Sequence, residues 1–297
     1  MSRCLPKGRC LILQTRAATG TTASGRARAI AIGLALPVLL TASVIALAGE
    51  EPSQSVPLLS APPAAAPLGP PRSAEADAAA YESCMTLARA KPEAGRKQAQ
   101  EWEERGGGHP AEHCFAVALI GLRQYKDAAG RLESLGQSMV RALESLRAEV
   151  FDQAWQAWML AGDPVRAYEA VGLALRLRPD DPDLLLDRAE AAGAAGWYDK
   201  AAADLDRVLA ANPSRVEALI YRAAANRALD RLDPALDDIT EALKLAPDSV
   251  PALLERGNVR ALRGDAEGAR LDWERVTAAS PGSSEAIAAK KNLEKGG

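Results

Sequence analysis

Rings are scarce in this sequence. Phenylalanine, tyrosine and tryptophan together make up 4% of its 297 residues, while alanine abounds. A core so poor in rings must fill with small and aliphatic side chains, which favours helices packed at close range. Histidine is scarcer still: His109 and His113 are the two in the chain, which leaves few candidates for an acid–base site. No nucleophile elbow occurs. The glycines of "ERGGGHP" (Glu104–Pro110) lack the Lys-Ser/Thr pair that completes a phosphate loop, so this stretch reads as a hinge between helices. No catalytic residue, metal ligand or cofactor is assigned, and the chain is read as a non-enzyme.

Acidic residues are missing from the first 48 positions, which hold six basic ones: Arg3, Lys7, Arg9, Arg16, Arg26 and Arg28. The next run, Ala29–Ala48, is uncharged and ends in Ala46-Leu47-Ala48. A basic head, an apolar middle and a small-x-small end predict an export signal over residues 1–48. Twenty apolar residues are also long enough to stay as an uncleaved inner-membrane anchor. Gly33, Pro37 and the Ala-x-Ala end favour cleavage, and no cysteine follows to carry a lipid. The head is long for a signal, so the translation start is expected further downstream. Cleavage leaves 30 basic against 39 acidic residues, a net charge of −9 with no basic stripe, which makes nucleic acid a poor partner. Cys4 and Cys10 leave with the signal. Cys84 and Cys114 remain, and an oxidising compartment favours their pairing. Together with His109 and His113 they could instead hold a metal, although the close cysteine pair of a zinc site is absent. Disulfide, free thiols and metal all stand open, with the disulfide preferred.

Seven prolines fall between Glu50 and Arg72, so residues 49–73 are expected to be an extended, disordered tether. Beyond it every periodic stretch is helical, and the pattern repeats. Pro179, Pro213, Pro247 and Pro281 recur at one constant interval. The same interval separates Gly162, Gly196, Asp230 and Gly264 at a turn, and Ala167, Ala201, Ala235 and Ala269 where a second helix must approach the first. Leu175, Leu209, Leu243 and Thr277 follow suit, as do Leu185, Leu219 and Leu253, with Ala189, Ala223 and Gly257 four residues on. A large and a small side chain at i and i+4 share one helix face. Asp163-Pro164 and Asp233-Pro234 read as caps ahead of a first-turn proline, and Ser214 with Glu217 as a capping box. Each unit is then a helical hairpin that cannot bury its apolar face alone and must stack on its neighbours.

These residues resemble the tetratricopeptide repeat family over about 148–281, in four consecutive units (148–181, 182–215, 216–249, 250–283). Trp155, Ala189 and Ala223 depart from a usual glycine, and Asp230 from the turn glycine. Upstream, "AVALIGLRQYKDAAGRL" is similar to a divergent unit with Tyr125 and Ala128 in place, five residues out of register, which puts an insertion near 136–146. Residues 74–105 read as a further irregular pair broken at Lys91-Pro92, so 74–147 holds divergent hairpins. The stretch 283–297 is similar to the polar helix that caps such stacks. The fold class is all-α: a right-handed solenoid of antiparallel helix pairs.

Arg188, Arg222 and Arg256 each sit just behind leucine or isoleucine on a helix expected to pack, and Asp204, Asp238 and Asp272 follow sixteen residues after them. The first unit has Ala154 and Ala170 at these places, so both charges are missing together. Pairing within each hairpin leaves no orphan, which favours structural ion pairs over ligand contacts. Phe151, Trp155 and Trp158 lie at helical spacing and read as core or as a contact of the insertion rather than a ligand cage. The resemblance implies that the first helices line a groove for an extended peptide or a partner helix. It maps that groove onto Leu186, Ile220 and Leu254, then Glu190, Ala224 and Asn258, then Arg227 and Leu262. The lysines of the family's carboxylate clamp are replaced by leucine or isoleucine, which implies a partly apolar segment as ligand; the same row could instead pack between neighbouring first helices. The expected function is a protein-binding scaffold in the bacterial envelope, periplasmic or secreted, and bound to the membrane only if residues 29–48 are retained. An obligate subunit of an envelope assembly is the alternative, with a redox- or metal-linked role for Cys84 and Cys114 behind it.

Overall fold

Alanine-rich segments with few β-branched residues favour helix, and thirteen helices account for nearly all of the described chain. A computed structural model describes residues 73–295; the expected export signal and nearly all of the expected tether lie outside them. In chain order the helices are α1 (Ala74–Ala90), α2 (Pro92–Glu104), α3 (Gly108–Gly121), α4 (Tyr125–Ser138), α5 (Glu144–Leu160), α6 (Pro164–Leu177), α7 (Pro182–Ala194), α8 (Tyr198–Ala211), α9 (Val216–Ala228), α10 (Leu232–Leu245), α11 (Val250–Leu262), α12 (Ala266–Ala279) and α13 (Ser284–Lys295). They stack as antiparallel pairs, each helix packing on the next, into an all-α solenoid. No helix among the described residues is long and apolar enough to cross a membrane.

The turns inside the hairpins explain why the sequence repeats so regularly. Gly162, Gly196 and Gly264 adopt φ of 72°, 79° and 83°, a left-handed conformation that suits glycine. Asp230 holds φ 59° at the equivalent place, which a short polar side chain tolerates, and Arg123 holds φ 60° in the α3–α4 turn. Ala167, Ala201, Ala235 and Ala269 are buried and let the paired helices meet closely.

Two of the expected caps are not built. Asp163 does accept from the Arg166 amide at 3.1 Å, with Pro164 opening α6. At α10, however, the helix begins at Leu232, one residue ahead of Asp233, whose carboxylate reaches Arg263 at 2.9 Å instead. At α9, Ser214 donates to Asn212 Oδ1 at 2.9 Å, and Arg215 occupies the cap position without a side-chain bond. Asn212 Oδ1 also accepts from the Ser214 amide at 3.2 Å, a local turn that leaves Ser214 one place ahead of the cap.

The hairpins exchange volume between facing helices. Gly257 lies against Trp273, where an added Cβ would come within 2.6 Å of the indole nitrogen. At the same two places the other units carry Trp155 with Val171, Ala189 with Leu205, and Ala223 with Ile239. A ring on one helix is matched by a smaller residue on the other, which is how close packing survives sequence drift. Phe151, Trp155 and Trp158 are all buried.

Candidate partner-binding face

Three arginines are tied to the second helix of their own hairpin. Arg188 donates through Nε and Nη2 to Asp204 at 2.7 and 2.6 Å, Arg222 to Asp238 at 2.9 and 2.6 Å, and Arg256 to Asp272 at 2.8 and 2.6 Å. These bidentate forks occupy the guanidinium groups within the hairpins rather than leaving them to a ligand. The bond to Asp204 raises the pKa of Arg188, and the bond to Asp238 does the same for Arg222. Arg222 also reaches Asp206 of the preceding hairpin at 2.7 Å, and Asp272 accepts a second guanidinium from Arg260 at 2.8 Å. The first unit's Ala154 and Ala170 are fully buried. One further occupant of this place is not evident from the regular units: in α3–α4 the Arg131 guanidinium lies 4.0 Å from the centre of the Phe115 ring. The signal was available, because Phe115 and Arg131 are also sixteen residues apart, but the shifted register hid it.

The inward row differs from expectation. Leu186 and Ile220 are 1% and 7% exposed and belong to the core, so they do not line an open apolar ridge. Both side chains belong to the continuous core of the stack, and Leu254 is half-buried and packed against that core. The row one turn further on is more open: Gln156 is exposed, and Glu190, Ala224 and Asn258 are half-buried, each one full repeat beyond the last. Leu262, at the end of α11, is exposed.

Polar contacts join successive first helices along this side. At one end His113 bridges α1 and α5, with Nδ1 2.7 Å from the Tyr81 hydroxyl and Nε2 2.7 Å from Gln153 Oε1. An amide oxygen only accepts, so the ring proton sits on Nε2 and Nδ1 accepts from Tyr81. Burial pushes the His113 pKa down and that of Tyr81 up. At the other end Arg227 donates to Glu255 at 2.5 Å, and Glu255 accepts from Asn258 at 3.2 Å. Asn258 Oδ1 in turn accepts from Trp273 Nε1 at 3.2 Å and Asn292 at 2.9 Å, linking α9, α11 and α13. Arg227 and Asn258 thus order this face as well as belonging to the expected groove.

Cys84 and Cys114 form a disulfide between α1 and α3. His113 is turned to Tyr81 and Gln153, and His109 to the Ser138 hydroxyl at 3.1 Å, so the four do not converge on one point. Among the described residues no group of three or more His, Cys, Asp and Glu side chains could hold a metal ion. Two open depressions, of about 410 and 460 Å³, lie off the inward row: one between α2, α3 and α4 beside Arg131, the other between α4 and α6 beside Arg166.

No family model matches the sequence, and none of the curated proteins does. Solved structures do. A tetratricopeptide repeat protein from Parabacteroides merdae superposes with a TM-score of 0.62 at 12% identity, over 73% of this chain and 86% of its own. MamA from Desulfovibrio magneticus RS-1 does so with a TM-score of 0.51 at 18% identity, over 59% of this chain and 97% of its own. At identities this low the likeness carries the fold alone.

Proposed function

We propose that this chain, which has the tetratricopeptide repeat fold, is a non-catalytic scaffold that holds a segment of another protein along the inward faces of its first helices. The observation that carries the reading is the half-open row Gln156, Glu190, Ala224 and Asn258, which crosses four hairpins at a constant interval. Adjacent helices lie about 10 Å apart, so the row spans roughly 30 Å, the length of about nine extended residues. With Leu186 and Ile220 enclosed, a ligand there meets amide, carboxylate and methyl groups, together with the apolar edge at Leu262, rather than a continuous hydrophobic ridge. The basic head and apolar run before Gly49 support a location in the bacterial envelope. Intact mass of the protein from envelope fractions tests the location: a chain beginning at Gly49 is expected, and retention of residues 29–48 would mean a membrane-held scaffold.

The groove itself is tested by photo-cross-linking in cells. A photoreactive residue replacing Ala224 should capture a discrete partner, while one replacing Ala203, exposed on the second helix α8, should not. Equal capture at both sites, or capture at 203 alone, would remove the groove from consideration.

One observation favours the second reading, an obligate subunit of an assembly. Val140 and Leu143, in the connection between α4 and α5, are 71% and 76% exposed, and Leu146 stands beside them half in solvent. Apolar side chains gathered on an inserted loop suit a permanent contact. A free scaffold sediments as a soluble monomer; an obligate subunit self-associates, and Val140→Ser with Leu143→Ser relieves it.

A further inference from the structure

The helix α13 occupies the place of a first helix. It packs on α12 as α11 packs on α10, it touches α11, and Asn292 donates at 2.9 Å to Asn258, one full repeat before it. In that register Ile287 falls where Leu185, Leu219 and Leu253 stand, and Lys290 where Arg188, Arg222 and Arg256 stand. Those leucines are buried, and those arginines fork to a second helix. Ile287 is instead 64% exposed, and Lys290, Lys291 and Glu294 stand in solvent along the same stripe. Lys290 and Lys291 meet no carboxylate among the described residues. Lys291 also takes the close-approach position held elsewhere by Ala189, Ala223 and Gly257. Its bulk keeps any helix on this stripe at a distance, so a matching helix must bring long acidic side chains.

The first helix of the stack carries such a face. Glu75, Ala79, Glu82, Thr86 and Arg89 recur every three or four residues, all exposed, on the side of α1 opposite the buried Cys84 and Ala88. From N- to C-terminus α1 presents Ala79, then Glu82, then Arg89, while α13 presents Ile287, then Lys290 with Lys291, then Glu294. Laid parallel, Ile287 meets Ala79, the two lysines meet Glu82, and Glu294 meets Thr86 within reach of Arg89. Two copies of α13 laid together would set lysine against lysine instead. We propose that copies of this chain associate head to tail, with α13 of one docking on α1 of the next. Because the two surfaces differ, the contact is heterologous, and one copy adds to another without closing at a dimer. One helix stripe per copy falls short of the ~1,200 Å² of a standard stable interface. Dilute protein is therefore monomeric, and the assembly forms as concentration rises. Neither the inward groove nor the Val140–Leu143 loop takes part, so this contact and the readings above fail separately.

Sedimentation equilibrium of the purified protein over a wide concentration range tests the contact. The average mass should climb past that of a dimer, and added salt should weaken the association about tenfold. Two variants then carry opposite defects: Lys290→Glu with Lys291→Glu spoils the tail, and Glu82→Lys spoils the head. Each alone should stay monomeric, because its own head and tail now carry like charge. An equal mixture of the two should assemble again, since each tail finds an opposite head on the other variant, and that recovery also shows that both are folded. Four outcomes overturn the proposal. They are a wild type monomeric at the highest concentration reached, a mass that stops at a dimer, a mixture that stays monomeric, and an association relieved by Val140→Ser with Leu143→Ser but not by the charge reversals.

Discussion

Asp272 is 1% exposed and accepts from two guanidinium groups, whereas the described bonds of Asp204 come from Arg188. The repeat therefore looks uniform in sequence but differs in what a single deletion strands. Arg188→Ala leaves a buried carboxylate without its cation and is expected to cost about 2–3 kcal/mol, below the full buried-pair penalty because the arginine side is part-exposed. Arg256→Ala leaves Asp272 with Arg260 and should cost about 1 kcal/mol. Urea unfolding compares the two, and equal losses would mean that Arg260 does not compensate. His113 belongs at this scale too. Its folded pKa lies below the ordinary value because burial disfavours the imidazolium. The unfolded chain then binds a proton first as the pH falls through about 6.5, so stability is full above that value and declines toward the folded pKa. Melting temperatures from pH 8 to pH 5 should fall more steeply for the wild type than for His113→Gln, which keeps a polar side chain but does not titrate.

At the scale of the helix and its turn, the facing pair Gly257 and Trp273 sets a steric rule. Gly257→Ala drives a methyl into the indole and is expected to cost about 1–3 kcal/mol. Adding Trp273→Leu rebuilds the pair found at Ala189 and Leu205 and should recover most of that loss. A double variant no more stable than Gly257→Ala alone would show that the two positions do not share one space. The turn between paired helices gives the opposite sign. Arg123 holds a left-handed φ that costs an ordinary residue roughly 1 kcal/mol, so Arg123→Gly should raise the thermal midpoint. These elements were legible in the sequence to different depths. Turn glycines and close-approach alanines declare themselves because few other residues fit there. Caps do not: Asp233 lies inside α10 and pairs with Arg263, Ser214 is held by Asn212 one place ahead of the α9 cap, and a local pattern cannot see either arrangement.

For the whole molecule, the fixed interval between repeats made the solenoid readable, since four aligned prolines and four aligned alanines leave little room for another architecture. The row that the first helices share was readable from the repeat, and its exposure was not. Whether Leu186 and Ile220 meet solvent or a neighbouring helix depends on how closely successive hairpins approach, and that distance is not written in either residue. The Phe115–Arg131 contact stayed hidden because five inserted residues break the count just where it would be looked for. The charge arrangement carries a consequence for how such a chain changes length over time. Each Arg–Asp fork is closed within one hairpin, so a whole repeat can be copied or lost without orphaning the fork it carries. Other ion pairs do cross between hairpins, Arg222–Asp206 and Arg263–Asp233 among them, but their carboxylates are exposed. The joint between α9 and α11 differs, because buried Glu255 draws its cation, Arg227, from the block before it. Excising residues 182–215 should therefore leave a folded, shorter stack, while excising 216–249 should melt several degrees lower, a difference that Glu255→Gln in the second deletion removes. A change in repeat number then costs little over most of the stack and is penalised at one seam.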